Sequence, residues 1–176
     1  MKAQISFEYY FSLLTFAILV SYLFLKLITL PPFYSSQITT QQLRSETYQI
    51  SEILVNSVGY PANWNTFPIP GGVGNIKGLG LSDETRNKTN LVSTAKTTAF
   101  DNICKSNGYN KILELLDIRN DTYGFWVLAA KDTSPPQILI ECSPLETSAK
   151  IRTNITRIIA FNDGTYGELR ISLWKR

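Results

Sequence analysis

Few residues in this chain could do chemistry. Its 176 residues include no histidine. That removes the commonest general base, the Ser-His and Cys-His nucleophile pairs and most zinc ligand sets. Two carboxylate groupings stand out, Asp83 beside Glu84 and, farther apart, Asp101 and Glu114. Nothing around them fixes a geometry, and both groupings read as solvated surface acids. The glycine-rich run at 71–78, GGVGNIKG, lacks the Gly-Lys-Ser/Thr of a phosphate loop and follows no clear strand. No catalytic residue, metal set or cofactor is expected, and the chain reads as a non-enzyme.

The residues with more to say lie at the start. No charge occurs from Tyr9 to Leu25, and a carboxylate, Glu8, stands at the edge of that run. As a helix, this stretch rises about 25 Å. Ile5 to Phe7 and Leu27 to Leu30 extend it to the roughly 30 Å of a bilayer core. A cleaved secretory leader would carry a short apolar core and a small-residue cut site, for which Leu30-Pro31-Pro32 is a poor substitute. A plain anchor explains the length but not Glu8, because a carboxylate at a membrane boundary loses solvation and usually has a partner.

The run Lys2-Ala3-Gln4-Ile5-Ser6-Phe7-Glu8-Tyr9 resembles the class III signal peptide of archaeal type IV pilin-like proteins. In that pattern a basic and a small residue precede Gln-x-Ser-x-Glu-Phe/Tyr and an apolar helix. The resemblance implies that a prepilin peptidase cuts between Ala3 and Gln4, although Ala3 stands where the family usually has glycine. It further implies a leader over 1–3, a transmembrane and assembly helix over 4–30, and an extracellular head over 31–176. Glu8, fifth after the cut, is then expected to pair with the new amine of Gln4 on a neighbouring subunit. The implied partners are the peptidase, like or related pilin subunits, and membrane lipid before assembly. The implied product is a structural subunit of a cell-surface filament. The alternative is a single-pass anchored protein that never polymerises and binds glycans through Trp64 or the 60–82 loop.

The remaining chemistry belongs to an exported head. Cys104 and Cys142 permit a disulfide. By chain entropy it would contribute about 4 kcal/mol, and two buried thiols fit the same residues. Asn87, Asn120 and Asn154 open Asn-x-Ser/Thr sequons; the first two fall in expected loops, the third in an expected strand. The net charge of +3 is spread without a basic run, so nucleic acid is not an expected partner.

The elements behind these residues read as α+β. Lys26 can snorkel to the outer interface, and Pro31-Pro32 predicts a helix break. A second helix is predicted over Ser36 to Val58, with Leu43, Ile50, Ile53, Leu54 and Val58 on one face. Gly59 and Pro61 end it. The 60–82 loop carries Gly59-Tyr60-Pro61-Ala62-Asn63-Trp64 and Gly78-Leu79-Gly80-Leu81, similar to a Gly-x-Pro-x-x-Trp…Gly-Leu pattern in some archaeal pilin-like proteins. Short helices are predicted over Ser93–Ser106 and Tyr109–Ile118. Strands are predicted over Tyr123–Leu128, Gln137–Cys142, Lys150–Phe161 and Tyr166–Trp174, with Asn162-Asp163-Gly164 as a hairpin turn. The expectation is an antiparallel sheet of about four strands covered by the second helix.

Overall fold

The computed structural model describes residues 2–29, 31–68, 71–83, 88–119, 121–144 and 151–175. The chain divides into two compact units, Met1–Thr39 and Thr40–Arg176. The first is dominated by helix α1 (Lys2–Thr29). Helix α2 (Pro31–Asn56) begins ahead of the predicted Ser36. Prolines in a first turn have no intrahelical hydrogen bond to lose, so Pro31 and Pro32 are tolerated there. Leu30, next to the predicted break, lies outside the described residues.

Within the second unit, α2 buries Leu43, Thr47, Ile50, Ser51, Leu54 and Val55. These positions repeat at three- and four-residue intervals and form one stripe. Ile53, expected in that stripe, is 49% exposed, because each helical residue turns about 100° from its neighbour and carries it off the edge. Thr47 and Ser51 replace it at little cost. Their hydroxyls donate back to Leu43 O and Tyr48 O, both at 2.6 Å.

Beyond two short 3-10 turns, Trp64–Thr66 and Val73–Asn75, come β1 (Leu91–Val92), α3 (Thr94–Asn107) and α4 (Tyr109–Leu115). The chain ends in β2 (Tyr123–Lys131), β3 (Gln137–Cys142), β4 (Ile151–Phe161) and β5 (Tyr166–Lys175). The sheet has five strands in the order β1-β4-β5-β2-β3, which corrects the expected four. The four predicted strands pair antiparallel. β1 is the addition, and it runs parallel to β4 with Leu91 opposite Ala160 and Val92 opposite Phe161. The sheet is therefore mixed.

One sheet face supplies Phe125, Val127, Leu169, Ile171 and Leu173 to a single core cluster. Leu54 of α2, Phe100 and Ile103 of α3 and Leu113 of α4 join it, so three helices share the cover expected of one. Burying each such side chain contributes about 1.5–3 kcal/mol. β4 returns to β5 through Asn162-Asp163-Gly164, as predicted, with Gly164 at φ +87°, where glycine avoids a Cβ clash.

Candidate functional site: the apolar N-terminal helix

Residues Phe7–Thr29 of α1 form a span of 23 residues whose most apolar stretch of 18 has mean hydropathy 2.1, with none of it buried within the chain. Phe7, Tyr9, Tyr10, Phe11, Leu13 and Leu14 are all exposed, and consecutive positions point in every direction around a helix. A helix apolar on all sides belongs in lipid or inside protein, not on a wetted surface. Its polar groups fit that setting, since Thr15 donates to Phe11 O at 2.8 Å and Thr29 to Leu25 O at 3.0 Å. One helix is thus long and apolar enough to cross a membrane.

The charges sit at its ends. Glu8 and Lys26 are separated by about 27 Å along the axis, close to the thickness of a hydrocarbon core. Lys26 Nζ lies 5.7 Å from the centre of the Tyr22 ring, a cation–π contact that its long stem can hold at the interface. Glu8 is exposed. Ala3 and Gln4 fall within α1, and their side chains lie outside the described residues.

The other expected site residues fall in the second unit or outside the description. Cys104 on α3 and Cys142 on β3 form a disulfide with Cα atoms 5.9 Å apart, stapling a helix to the sheet. Asn87 and Asn120 lie outside the described residues. Asn154 is on β4 with an exposed side chain, and its Oδ1 accepts from Ser172 Oγ at 2.6 Å.

Trp64 is no binding platform: only 1% exposed, it donates its indole N–H to Gly80 O at 2.9 Å. The glycines around it have physical reasons. Gly59 has φ +81°, and a Cβ there would stand 2.5 Å from the Trp64 ring. A Cβ on Gly80 would stand 2.2 Å from Ser57 O. The Gly-x-Pro-x-x-Trp…Gly-Leu stretch is therefore a packed knot at the end of α2.

The carboxylate groupings do not form dyads among the described residues. Asp101 bonds Lys105 at 2.5 Å, and Glu114 bonds Lys111 at 2.6 Å. Asp83 is buried, not solvated as expected, and Glu84 lies outside the described residues.

Two cations escaped the sequence reading. Lys96 is buried and donates to Val58 O at 2.9 Å and Ser82 O at 3.1 Å, tying α3 to the loop after α2. Arg157 on β4 donates to Ser51 Oγ at 2.8 Å and Glu52 Oε1 at 2.5 Å, and lies 4.8 Å from the Tyr48 ring centre. These contacts clamp α2 to the sheet. The Arg157 hydrogen bond, with help from Tyr48, holds the Glu52 carboxyl below its ordinary pKa. No sequence pattern marked either residue, because their partners are distant backbone and helix positions.

Neither a described protein family, nor a curated protein, nor a solved structure matches the chain. The functional reading therefore rests on the helix and its terminal residues.

Proposed function

We propose that this chain is a structural subunit of an archaeal type IV pilus-like surface filament, cut by a prepilin peptidase between Ala3 and Gln4. The observation that carries the reading is the all-round apolar span Phe7–Thr29, with Glu8 as its one carboxylate, near the start. Before assembly the span lies in lipid, with the second unit outside the cell. In a filament, neighbouring helices replace the lipid and bury the same side chains.

The resemblance at 2–9 gives Glu8 its role. Cutting after Ala3 leaves a cationic amine on Gln4. A buried cation or carboxylate alone is unfavourable, whereas together they neutralise each other. Glu8 of one subunit and the Gln4 amine of the next make such a pair, which also sets the axial register between subunits.

A fixed anchor with an extracellular binding head is the second reading. Lys26, which can reach the outer bilayer boundary, and the Pro31-Pro32 pair that follows favour it, because both suit a fixed anchor. Shearing of cells separates the two: the filament reading places the chain in the sheared surface fraction, and the anchor reading leaves it in membranes. Glu8→Ala is expected to abolish incorporation into filaments while membrane insertion persists. Normal assembly of that variant would remove the pairing role.

A further inference from the structure

The two edges of the sheet are built differently. β3 is six residues long and is entered through Pro135-Pro136. Its register against β2 shifts between Ala129 and Ala130. The Glu141 N–H on this strand is taken by Asp101 Oδ1 of α3 at 3.2 Å. Short length, proline, a bulge and a covering helix are the devices by which natural edges are closed to further pairing.

β4 has no proline and no bulge against β5. It is 11 residues long and pairs with β5 in unbroken register from Ile151 to Ala160. On its other side β1 reaches only Ala160 and Phe161. Among the described residues, no strand pairs with the Ile151–Ile159 stretch on that side. A row of backbone N–H and C=O groups is left there as a template for a strand.

A groove of about 760 Å³ runs along this edge, with Arg44 and Tyr48 of α2 on one side and Arg152, Thr153 and Asn154 of β4 on the other. Successive strand residues point to opposite faces, so their joint presence means that the strand edge itself forms the floor. Two arginines, Arg44 and Arg152, are among its lining residues, and no Asp or Glu is. Arg44 has no hydrogen bond or ion pair among the described residues. Arg152 donates to Ser172 Oγ at 3.2 Å, and its carbon Cζ lies 5.2 Å from the Trp174 ring centre on β5 and 5.9 Å from that of Trp126 on β2, so its guanidinium lies across the sheet, away from the free edge. A guanidinium has five donors, and those of Arg44 are the ones left for a carboxylate in the groove.

We propose that the free edge of β4 accepts an extended acidic segment of a partner protein as an added strand. The backbone row calls for amides at strand spacing, about 3.4 Å apart, which a polypeptide supplies and a saccharide does not. Acidic side chains at alternate positions of the guest would then meet Arg44 on the α2 side, with the intervening side chains on the opposite face. A second β4 is the poorer occupant, because Ile151–Ile159 contains Arg152 and Arg157 and no acid, so that pairing juxtaposes cations without a carboxylate.

The test uses the full chain in non-ionic detergent micelles and a fluorescent Val-Glu-Val-Glu-Val-Glu peptide, read by anisotropy. Its Val-Lys counterpart serves as the charge control. Two further forms carry N-methyl groups on one alternate set of residues or on the other. The added strand pairs through one edge only, so one methylated form should bind at least tenfold more weakly and the other should bind as the parent does. The Lys peptide should also bind at least tenfold more weakly, and Arg44→Glu should weaken the Glu peptide to a similar degree with an unchanged circular dichroism spectrum. Equal binding by both methylated forms, equal binding by the Lys peptide, or no binding at about 1 mM overturns the proposal.

Discussion

Helices α1 and α2 are nearly the same length, 28 and 26 residues, yet they are written for different solvents. In α1, apolar side chains point in every direction and stay uncovered within the chain. Within Thr40–Asn56, α2 confines its buried residues to one stripe and turns Gln41, Arg44 and Gln49 to water. Length does not distinguish a span from a core helix; the angular distribution of apolar residues does. In α1, consequently, the side chains that stabilise the molecule need a second molecule or a bilayer to act on.

That comparison can be broken by matched truncations. Leu54→Ala in α2 should lower the unfolding free energy of the second unit by about 2–5 kcal/mol. Leu19→Ala in α1 should leave that transition unchanged, because Leu19 is exposed within the chain. Denaturant unfolding of both variants in micelles, followed by tryptophan fluorescence, checks this. Equal effects would mean that α1 contributes to the folded core of the head.

The disulfide sharpens the same contrast from the side of the head. With 38 residues separating Cys104 and Cys142, the Cys104→Ser/Cys142→Ser variant should lose up to about 4 kcal/mol, with no change in the fraction inserted into membrane. Mass measurement after alkylation, with and without reductant, checks the bond first.

The smallest effect expected is a pH dependence at the β4–β5 turn. Hydrogen bonds from Lys131 and then Thr165 lower the Asp163 pKa to about 2 from an ordinary 3.8. A depressed carboxylate pKa adds stability that is full above pH 3.8 and lost as pH falls through about 2. The pair is partly exposed, so the loss should not exceed about 1 kcal/mol. Asp163→Asn should remove this dependence, which thermal melts between the two pH limits would show.

Much of this architecture is legible in the sequence where short-range pattern governs it. The alternation in Tyr166–Trp174, the turn at Asn162-Asp163-Gly164 and the glycine after α2 are local signals, and the structure follows them. β1 was not legible. Two residues, Leu91 and Val92, become a strand only because Ala160 and Phe161 lie beside them, a pairing that no local window contains. The burial of Thr47 and Ser51 in place of Ile53 likewise depends on hydroxyls satisfied by the helix backbone. Trp64 could have faced either way by composition; the space left by Gly59 and the Gly80 carbonyl decides it. Glu8 is legible at once, as a charge at the end of an apolar run, whereas the partner proposed for it belongs to another subunit.

The central claim is that this first helix is cut, paired and assembled, beyond merely holding the chain in a membrane. The mass of the native protein's N-terminal peptide tests the first of these steps most directly. Processing as proposed gives a mature chain that starts at Gln4, with residues 1–3 absent. A chain that still begins at Met1 or Lys2 would contradict it.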